Sequence, residues 1–391
     1  MPNRCPVFMC HGLFGFGENE LGPISYWGEG LKVEKSGLDV HPLSVGPISS
    51  YWDRACEIIA QIKGLQVDYG ENHSETFGHK RFGPDYTGKG LYPEWSADKP
   101  VHLVGHSAGG NTIRLAQYLL AKNHYGNLTN SNEDWVKSIT GLSPVINGST
   151  APYLLGCDKK TGLLTGSPGE TIARIIQTFA TLTGARADAV YDFDLDHWGF
   201  ERESDDNLKD IVKKIGNSRF MKEEDNLAYD LTIQGCAKVN ELAKTYDNTY
   251  YFSEVTEQTS KVPFFEYHRP ELNMNPVLSA FALFMGQFRF EEPPIPQWGS
   301  GLMQDEKWFK NDGLVAAVSQ QYPFTAGDHP VAGKNIYNRS SFETGKWYWD
   351  YAWGGSCDHG DIVFLHVSQP LSKTKHEQLY VNLYRRLASL D

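Results

Sequence analysis

The sequence has no long hydrophobic run, no basic stripe and no closely paired cysteines. No apolar segment approaches the roughly 18 residues that a membrane-spanning helix requires, which argues against a transmembrane segment. The formal net charge is −12, which argues against nucleic acid as a partner and against steady electrostatic docking on anionic membranes. The six cysteines contain no Cys-x-x-Cys pair, which argues against a zinc ribbon and a thioredoxin-like redox site.

The sequence also shows no internal repeat and no low-complexity tract. No succession of basic, apolar and small residues opens it, and the strand-like segment PVFMCHG begins at residue 6. We expect a secreted protein whose leader has been removed, although a cytosolic chain would open in the same way. Neither the pairing of the cysteines nor the oligomeric state is fixed by the sequence.

Apolar residues, in contrast, are abundant. Of 391 residues, 40% are hydrophobic and 13% aromatic, enough for a sizeable core. Short apolar runs bounded by turn residues predict buried strands, and apolar positions three and four apart predict helices. The predicted strands are 6–12, 38–46, 101–105, 138–145 and 250–257, and the predicted helices are 111–122 and 376–390.

This alternation predicts an α/β fold with a mostly parallel sheet and helices on both faces. We expect one domain over residues 1–391. A polar, loop-rich insertion at 53–97 and a long mixed insertion at 147–250 are expected to interrupt it. Residues 291–299 and 322–335 are predicted to be surface loops, because their prolines disfavour a central strand.

The segment VGHSAGGNT places Ser107 at Gly-x-Ser-x-Gly spacing between the strand VHLVG and the helix NTIRL. A nucleophilic serine requires this strand–turn–helix arrangement, because the sharp turn exposes the hydroxyl above the sheet edge. The N–H of Ala108, which opens the helix, and that of Leu13, in the early loop CHGLFGFG, are predicted to form an oxyanion hole. The alternative is a pair of glycine-rich turns without chemistry.

A serine nucleophile also needs a base and an acid that orients the base, and in this architecture the acid precedes the histidine. FKNDGLVAAVS offers Asp312 in a polar turn, and GSCDHGDIVFL offers His359 in a short loop. The competing histidines lie close to prolines or open the last helix: His268, His329 and His376. The pattern favours Asp312 as the acid and His359 as the base.

Nine segments, in order along nearly the whole chain, carry a resemblance to one family. They are HGLFGFG, SYWGEG, SVGPISSYWDRACE, VDYGENHSETFGHKRFGPDY, VGHSAGGNTIRL, YDFDLDHWG, AYDLTIQG, WFKNDGLV and CDHGDIVF. The sequence resembles the large secreted bacterial triacylglycerol lipases of the staphylococcal and Geobacillus type. The resemblance implies an α/β-hydrolase fold with a zinc-bearing extension and a mobile helical lid. It also implies that Ser107, Asp312 and His359 are the catalytic triad.

The sequence departs from this family at both predicted oxyanion positions. Ala108 stands where the family has a bulky residue such as Gln or Met, and Leu13 stands where it usually has Phe. Because backbone N–H groups bind the oxyanion, the hole is expected to survive. The shape of the pocket and the acyl-chain preference are expected to differ.

The resemblance also implies a metal. His73 and His79 have five residues between them, which by itself is typical of two solvated loop histidines. In the family these positions bind zinc, together with positions that match Asp53 and Asp196. Two imidazoles and two carboxylates form a closed set without an open position for water, so we expect a structural zinc. His197 is interpreted as a neighbour of this site.

Two further family features carry different expectations. The amphipathic segment 170–184 is predicted to be a lid helix that opens at a lipid surface, and the alternative is a plain core-facing helix. Calcium near the catalytic histidine is doubtful, because the family's two acidic ligands match Asp361 and His366, and imidazole is a poor calcium ligand. A carbonyl ligand would come from Asn273. We expect weak or absent calcium binding.

These features predict a serine carboxylic-ester hydrolase that forms an acyl-enzyme. The predicted activity is that of a triacylglycerol lipase on acylglycerols or other esters at a lipid–water interface. A carboxylesterase or a polyester hydrolase with a wider cleft on the same scaffold is the close alternative. A catalytically silent binding protein on a hydrolase fold is the alternative from another class, and the complete triad speaks against it.

Overall fold

The structure is a computed structural model that describes most of the chain. The described residues are 3–18, 20, 25–125, 128–165, 193–200, 213–215, 218–298, 305–324, 329–363 and 370–391. The predicted lid helix 170–184 and His366 lie outside these residues.

Most of the described strands belong to one sheet. The strands are β1 (Val7–Cys10), β2 (Val40–Leu43), β3 (Gln66–Asp68), β4 (Phe82–Asp85), β5 (Val101–His106), β6 (Val136–Leu142), β7 (Tyr250–Val255), β8 (Thr259–Lys261), β9 (His268–Pro270), β10 (Val331–Lys334) and β11 (Trp347–Tyr351). Seven of them pair in the order β10-β11-β7-β6-β5-β1-β2, and every neighbouring pair is parallel. The remaining strands form two antiparallel pairs, β3 with β4 and β8 with β9.

The helices connect these strands. They are α1 (Tyr51–Lys63), α2 (Glu71–Phe77), α3 (Gly109–Ala121), α4 (Ala151–Leu154), α5 (Leu227–Asp230), α6 (Ile233–Leu242), α7 (Pro276–Met285), α8 (Asp305–Phe309) and α9 (Pro370–Ala388). Capping sets the ends of α1: the hydroxyl of Ser50 accepts from the N–H of Asp53, and the helix ends at Gly64 with a φ of 82°.

Alternate residues of β1 pack into two different hydrophobic cores. Phe8 and Cys10 pack with residues of α1, α3 and α6, whereas Val7 and Met9 pack with residues of α9. Because successive side chains of a strand point to opposite faces, these cores lie on opposite sides of the sheet. The prediction of a mostly parallel sheet with helices on both faces is confirmed.

The five predicted strands and two predicted helices are present, but other segments differ from expectation. Residues 331–334, in a predicted loop, form the edge strand β10, a position that tolerates a nearby proline. Residues 53–63, in a segment expected to be loop-rich, belong to the buried helix α1. The polar residues Arg54, Glu57 and Gln61 are buried in this helix. Because they interrupt its apolar pattern, the sequence does not show that the helix packs in the core.

The described residues contain no disulfide, since all six cysteines are free and five of them are buried. None of the described helices has the length and apolar character needed to cross a bilayer.

Candidate active site and metal centre

Ser107 lies in the tight turn between β5 and α3, at the carboxyl edge of the sheet. Its φ of 55° is a left-handed conformation that is uncommon for a residue with a side chain. Its N–H donates to the carbonyl of Leu142 over 3.0 Å, and its own carbonyl accepts from the N–H groups of Gly110 and Val145. The surroundings therefore hold a strained turn, as in the nucleophile turn of serine hydrolases.

Three glycines around this serine are required by close contacts. A Cβ at Gly105 would lie 2.3 Å from the carbonyl oxygen of Gly109, and a Cβ at Gly109 would lie 2.3 Å from that of Cys10. At Gly110 a Cβ would lie 2.6 Å from the Cβ of Pro144. The glycines allow β1, β5 and α3 to approach one another closely at the serine.

Asp312 and His359 lie together next to this turn. Nδ1 of His359 is 2.8 Å from Oδ2 of Asp312, and the backbone N–H of His359 donates to the carbonyl of Asp312 over 3.0 Å. The ring of His359 lies 4.8 Å from the ring of His106, the residue before Ser107. The fold thus brings the three residues of the predicted triad to one edge of the sheet.

The carboxylate of Asp312 is fully buried and held by four other donors. Oδ1 accepts from the N–H groups of Leu314 and Val315 at 2.9 and 2.7 Å. Oδ2 accepts from the hydroxyl of Thr256 at 2.6 Å and from the amide of Gln320 at 3.2 Å. These donors fix the orientation in which Oδ2 faces the imidazole.

The loop after β1 packs directly against the nucleophile turn. A Cβ on Gly12 would lie 2.7 Å from the Cβ of Ser107, so Leu13 follows the point of closest approach. Among the described residues, the N–H groups of Leu13 and Ala108 have no backbone acceptor. Two such N–H groups beside a serine are available to an oxyanion.

The buried guanidinium of Arg54 supports the same loop. It donates to the carbonyl of His11, to the carbonyl of Gly46 over 2.7 Å and to the hydroxyl of Thr112 over 3.2 Å. Arg54 follows Asp53 on α1. One turn of this helix therefore contributes both to the loop at the nucleophile and, through Asp53, to a candidate metal site.

An apolar cavity of about 40 Å³ lies beside Leu13. Phe14, Ile48, Leu155 and Met221 are among its lining residues. Such a lining suits a hydrocarbon group, because a polar group would lose its hydrogen bonds with water there.

A second group of titratable residues converges near the amino end of α1. The ligand atoms of Asp53, His73, His79 and Asp225 all lie within 4.8 Å of one another. Nε2 of His73 is 3.2 Å from Oδ1 of Asp53 and 3.2 Å from Oδ1 of Asp225. Nε2 of His79 is 3.3 Å from Oδ2 of Asp225. Two imidazoles and two carboxylates thus face one point, which makes this group a possible metal site.

The atoms that face this point are buried and lack ordinary partners. Oδ1 of Asp53, Nε2 of His73, Nε2 of His79 and Oδ2 of Asp225 have no hydrogen-bond partner among the described residues. Buried polar atoms nearly always have a partner. Four such atoms around one point fit a bound cation.

The electrostatics of the group agree with this interpretation. Burial alone would lower the pKa of His73, but the adjacent carboxylates of Asp225 and Asp53 outweigh it and raise the pKa to about 10. The same carboxylates raise the pKa of His79 against the effect of burial. Despite its own burial, Asp53 has a pKa well below its usual range, because Nε2 of His197 bonds to its Oδ2 and the ring of His73 lies close to its Oδ1. The two carboxylates therefore attract positive charge, either protons or a metal ion.

The structure corrects one predicted metal residue. Asp225, and not Asp196, joins Asp53 and the two histidines. Asp196 is exposed at the start of the 3-10 helix Asp196–Trp198. His197 is buried, and its Nε2 lies 3.0 Å from Oδ2 of Asp53. Because successive side chains of a 3-10 helix are about 120° apart, only one of these two neighbours faces the group.

Asp225 was missed because its segment, MKEEDN, is an acidic run without a ligand spacing. Its two neighbours behave as surface residues: Glu223 pairs with Arg219 at 2.6 Å, and Glu224 pairs with Lys238 at 2.5 Å. Of the three carboxylates, only that of Asp225 is buried. The burial of one carboxylate within such a run is a property of the fold that no local pattern shows.

Residues around the metal group connect the two expected insertions. Nδ1 of His79 donates to the carbonyl of Lys80 over 2.8 Å, and the N–H of Lys80 donates to the carbonyl of His197 over 2.8 Å. The ring of His197 also packs on Tyr69, with 4.4 Å between the ring centroids. The group therefore lies where the segment around residues 66–85 meets the segment around residue 197.

The loop after His359 contains Asp361, which matches a calcium ligand of the resembled family. Oδ2 of Asp361 accepts from the N–H of Asp358 over 3.1 Å. Burial and then the charge of Asp358 raise the pKa of Asp361 to about 7. Asn273 is exposed. The carboxyl of Asp361 is thus used within its own loop.

The fold and the site together define a class of protein. A parallel sheet, a serine in a sharp turn after a central strand, and an acid followed by a histidine in loops at the same edge form the α/β-hydrolase arrangement. A family profile described as "Lipase-like, C-terminal domain" matches residues 3–364, and the chain belongs to this family.

Relatives with known names are lipases. Lipase 2 of Staphylococcus aureus is 31% identical over 379 residues, which cover 89% of this chain and 50% of that protein. The lipase of Staphylococcus hyicus is 30% identical over 413 residues, which cover 99% of this chain and 57% of that protein. The chain spans about half the length of these curated relatives. The resemblance to staphylococcal lipases is confirmed.

Solved structures give the same assignment. EstA from Clostridium botulinum superposes with a TM-score of 0.82 at 28% identity, over 100% of this chain and 88% of that chain. The Staphylococcus hyicus lipase superposes with a TM-score of 0.76 at 26% identity, over 99% of this chain and 96% of that chain.

Proposed function

We propose that the chain is a serine hydrolase of carboxylic esters in the lipase class. The observation that carries this proposal is the 2.8 Å contact between Nδ1 of His359 and Oδ2 of Asp312, next to the strained turn of Ser107. In this arrangement an acid orients a histidine, and the histidine activates a serine hydroxyl. The lipase-like family of the chain supports the proposal.

In the proposed reaction the hydroxyl of Ser107 attacks the ester carbonyl while Nε2 of His359 takes its proton. The N–H groups of Leu13 and Ala108 donate to the oxyanion that forms. His359 returns the proton to the leaving alcohol, and an acyl-enzyme remains. Water then attacks the acyl carbon by the same steps and releases the acid. Asp312 holds the proton-bearing Nδ1 and stabilises the charged imidazole.

The substrate class is proposed from the cavity beside Leu13. Its apolar lining suits an acyl chain, and the named lipases among the relatives favour acylglycerols at a lipid–water interface. The second candidate is a carboxylesterase of short-chain esters, because the Asp312–His359 pair would serve soluble esters in the same way. A polyester hydrolase on the same scaffold is tested by the same experiment.

The proposed metal is a structural zinc held by Asp53, His73, His79 and Asp225. The fit is supported by the four buried atoms without partners and by the nitrogen and carboxylate donors that zinc accepts. With all four positions supplied by protein, zinc would cross-link distant segments and take no part in the ester chemistry. Secretion remains a prediction.

The test is hydrolysis of an ester series from acetyl to oleoyl, below and above the solubility of each ester, with Ser107→Ala as the control. A lipase hydrolyses the long esters, and its rate rises above their solubility limit. An esterase prefers the short, soluble members. A protein that hydrolyses none of them and is not labelled by a fluorophosphonate is a binding protein, which would contradict the proposal.

A further inference from the structure

A chain of hydrogen bonds runs from the loop after β1 to the loop of His359 through two buried side chains. The N–H of Gly12 donates to the hydroxyl oxygen of Tyr26 over 3.0 Å, and this hydroxyl lies 2.6 Å from Nδ1 of His106. Nε2 of His106 lies 3.2 Å from the carbonyl oxygen of His359. Tyr26 and His106 are only 5% and 3% exposed, so bulk water does not compete for these bonds.

The partners fix the position of each proton in this chain. A carbonyl oxygen only accepts, so Nε2 of His106 carries a hydrogen and donates it to His359. Nδ1 of the neutral ring is then an acceptor, and the hydroxyl of Tyr26 donates to it. The oxygen of Tyr26 accepts from the N–H of Gly12 at the same time. Burial and the neighbouring His359 lower the pKa of His106 well below its usual value, which keeps the ring neutral.

Both ends of the chain belong to groups that the proposed reaction uses. Gly12 precedes the oxyanion donor Leu13, and a Cβ on Gly12 would lie 2.7 Å from the Cβ of Ser107. At the other end, the backbone of His359 also donates to Asp312 over 3.0 Å. This series of hydrogen bonds therefore connects the oxyanion loop to the loop of His359 behind the nucleophile turn.

We propose that Tyr26 and His106 are positioning residues that couple the oxyanion loop to the loop of the catalytic histidine. They hold Gly12 and His359 at a fixed separation, so that the oxyanion donors and the imidazole are in register with the same ester carbonyl. Such registration acts on the transition state more than on substrate binding. The inference rests on the proposed function, because registration matters only if Ser107 and His359 act together.

The test measures kcat and KM for a soluble short-chain ester in Tyr26→Phe, His106→Gln and the double variant. Phenylalanine removes the donor to His106 and the acceptor for Gly12. Glutamine can place an amide N–H near the position of Nε2 for the carbonyl of His359 but has no acceptor at the position of Nδ1, which Tyr26 faces. We expect each single variant to lose about tenfold or more in kcat, with KM changed by less than about twofold.

Tyr251→Phe is the matched control. Tyr251 is buried, as Tyr26 is. Its hydroxyl donates to Gln117 over 2.9 Å and accepts from the N–H of Tyr246 over 2.9 Å. It lies near the start of β7, at the amino ends of the strands and away from the carboxyl ends, where Ser107 lies. This variant should lose a similar amount of thermal stability and keep its kcat.

The double variant separates coupling from two independent structural losses. Substitutions within one series of hydrogen bonds do not have additive effects on the activation free energy. The kcat of the double variant should therefore be no more than about twofold lower than that of the slower single variant. An unchanged kcat in Tyr26→Phe, losses that multiply in the double variant, or an equal loss in Tyr251→Phe would overturn the inference. If wild-type protein neither hydrolyses the ester nor reacts with a fluorophosphonate, the proposed function itself has failed.

Discussion

The metal centre gives the sharpest prediction, because sequence and structure name different fourth ligands. Asp225→Asn removes the charge that faces His73 and His79 but keeps an oxygen of the same size. The variant should therefore fold. Without that anionic ligand, however, it should lose zinc. Asp196→Asn is the matched control, since Asp196 is exposed.

The size of the effect follows from linkage between binding and folding. Zinc at about 1,000 times its Kd stabilises the folded state by ~4 kcal/mol. For a chain of 391 residues, the entropy of unfolding is about 0.8 kcal/mol per degree. Loss of zinc should therefore lower the Tm by about 5 °C in Asp225→Asn. In Asp196→Asn the Tm should stay within about 1 °C of wild type, as for most surface changes.

The assay combines metal analysis of dialysed protein with calorimetry, each with and without a chelator. We expect about one zinc per chain in wild type and Asp196→Asn and almost none in Asp225→Asn. The chelator should lower the Tm of the first two proteins to that of the third. If Asp225→Asn retains zinc while Asp196→Asn loses it, the ligand set drawn from the structure is wrong.

Three other predictions concern the active site, pH and calcium. Ser107→Ala should keep the wild-type Tm and lose several orders of magnitude in kcat, measured with a soluble ester; near-normal turnover would rule out the serine mechanism. Burial raises the pKa of Glu57 from 4.5 to about 7. Glu57 therefore does not lower the free energy of unfolding below the unfolded pKa, but lowers it by ~3 kcal/mol above the folded pKa, where the buried carboxylate is charged. Glu57→Gln should accordingly raise the Tm more at pH 8 than at pH 5, and equal shifts at both pH values would contradict this. Calcium should not change the Tm of zinc-loaded protein, whereas a rise of many degrees that Asp361→Ala abolishes would reveal a working calcium site.

The parts of the fold that could be predicted from sequence are those with local signals. The strands flanking the nucleophile turn are short apolar runs that end in glycine, and the helix after Ser107 has a clear apolar stripe. β11 was not predicted, because its aromatic segment WYWDY does not alternate between apolar and polar residues. β10 has no local strand signal, because its pairing with β11 depends on a distant segment.

In the candidate site, too, residues with a local signal could be predicted and residues without one could not. The local signal for Asp312 and His359 is a polar turn beside an apolar run, and the structure places the two side chains in contact. Their catalytic roles stay a prediction. Asp53, His73 and His79 lie together with Asp225, whereas Asp196 is exposed beside the buried His197. Zinc binding by this group stays a prediction. Tyr26 and His106 could not be related from sequence, because their contact joins segments 80 residues apart.

The close packing of the nucleophile turn limits where this protein can vary. At Gly105 and Gly109 a new side chain would meet backbone atoms, which cannot rotate away, so every substitution there displaces a strand or a helix. Leu13 and the other walls of the apolar cavity are bounded by side chains that can adopt other rotamers. Divergence in acyl preference, natural or by directed evolution, should therefore accumulate on the cavity walls while the turn stays constant. A mutant library that is spread evenly over the site would lose most of its folded members at the turn.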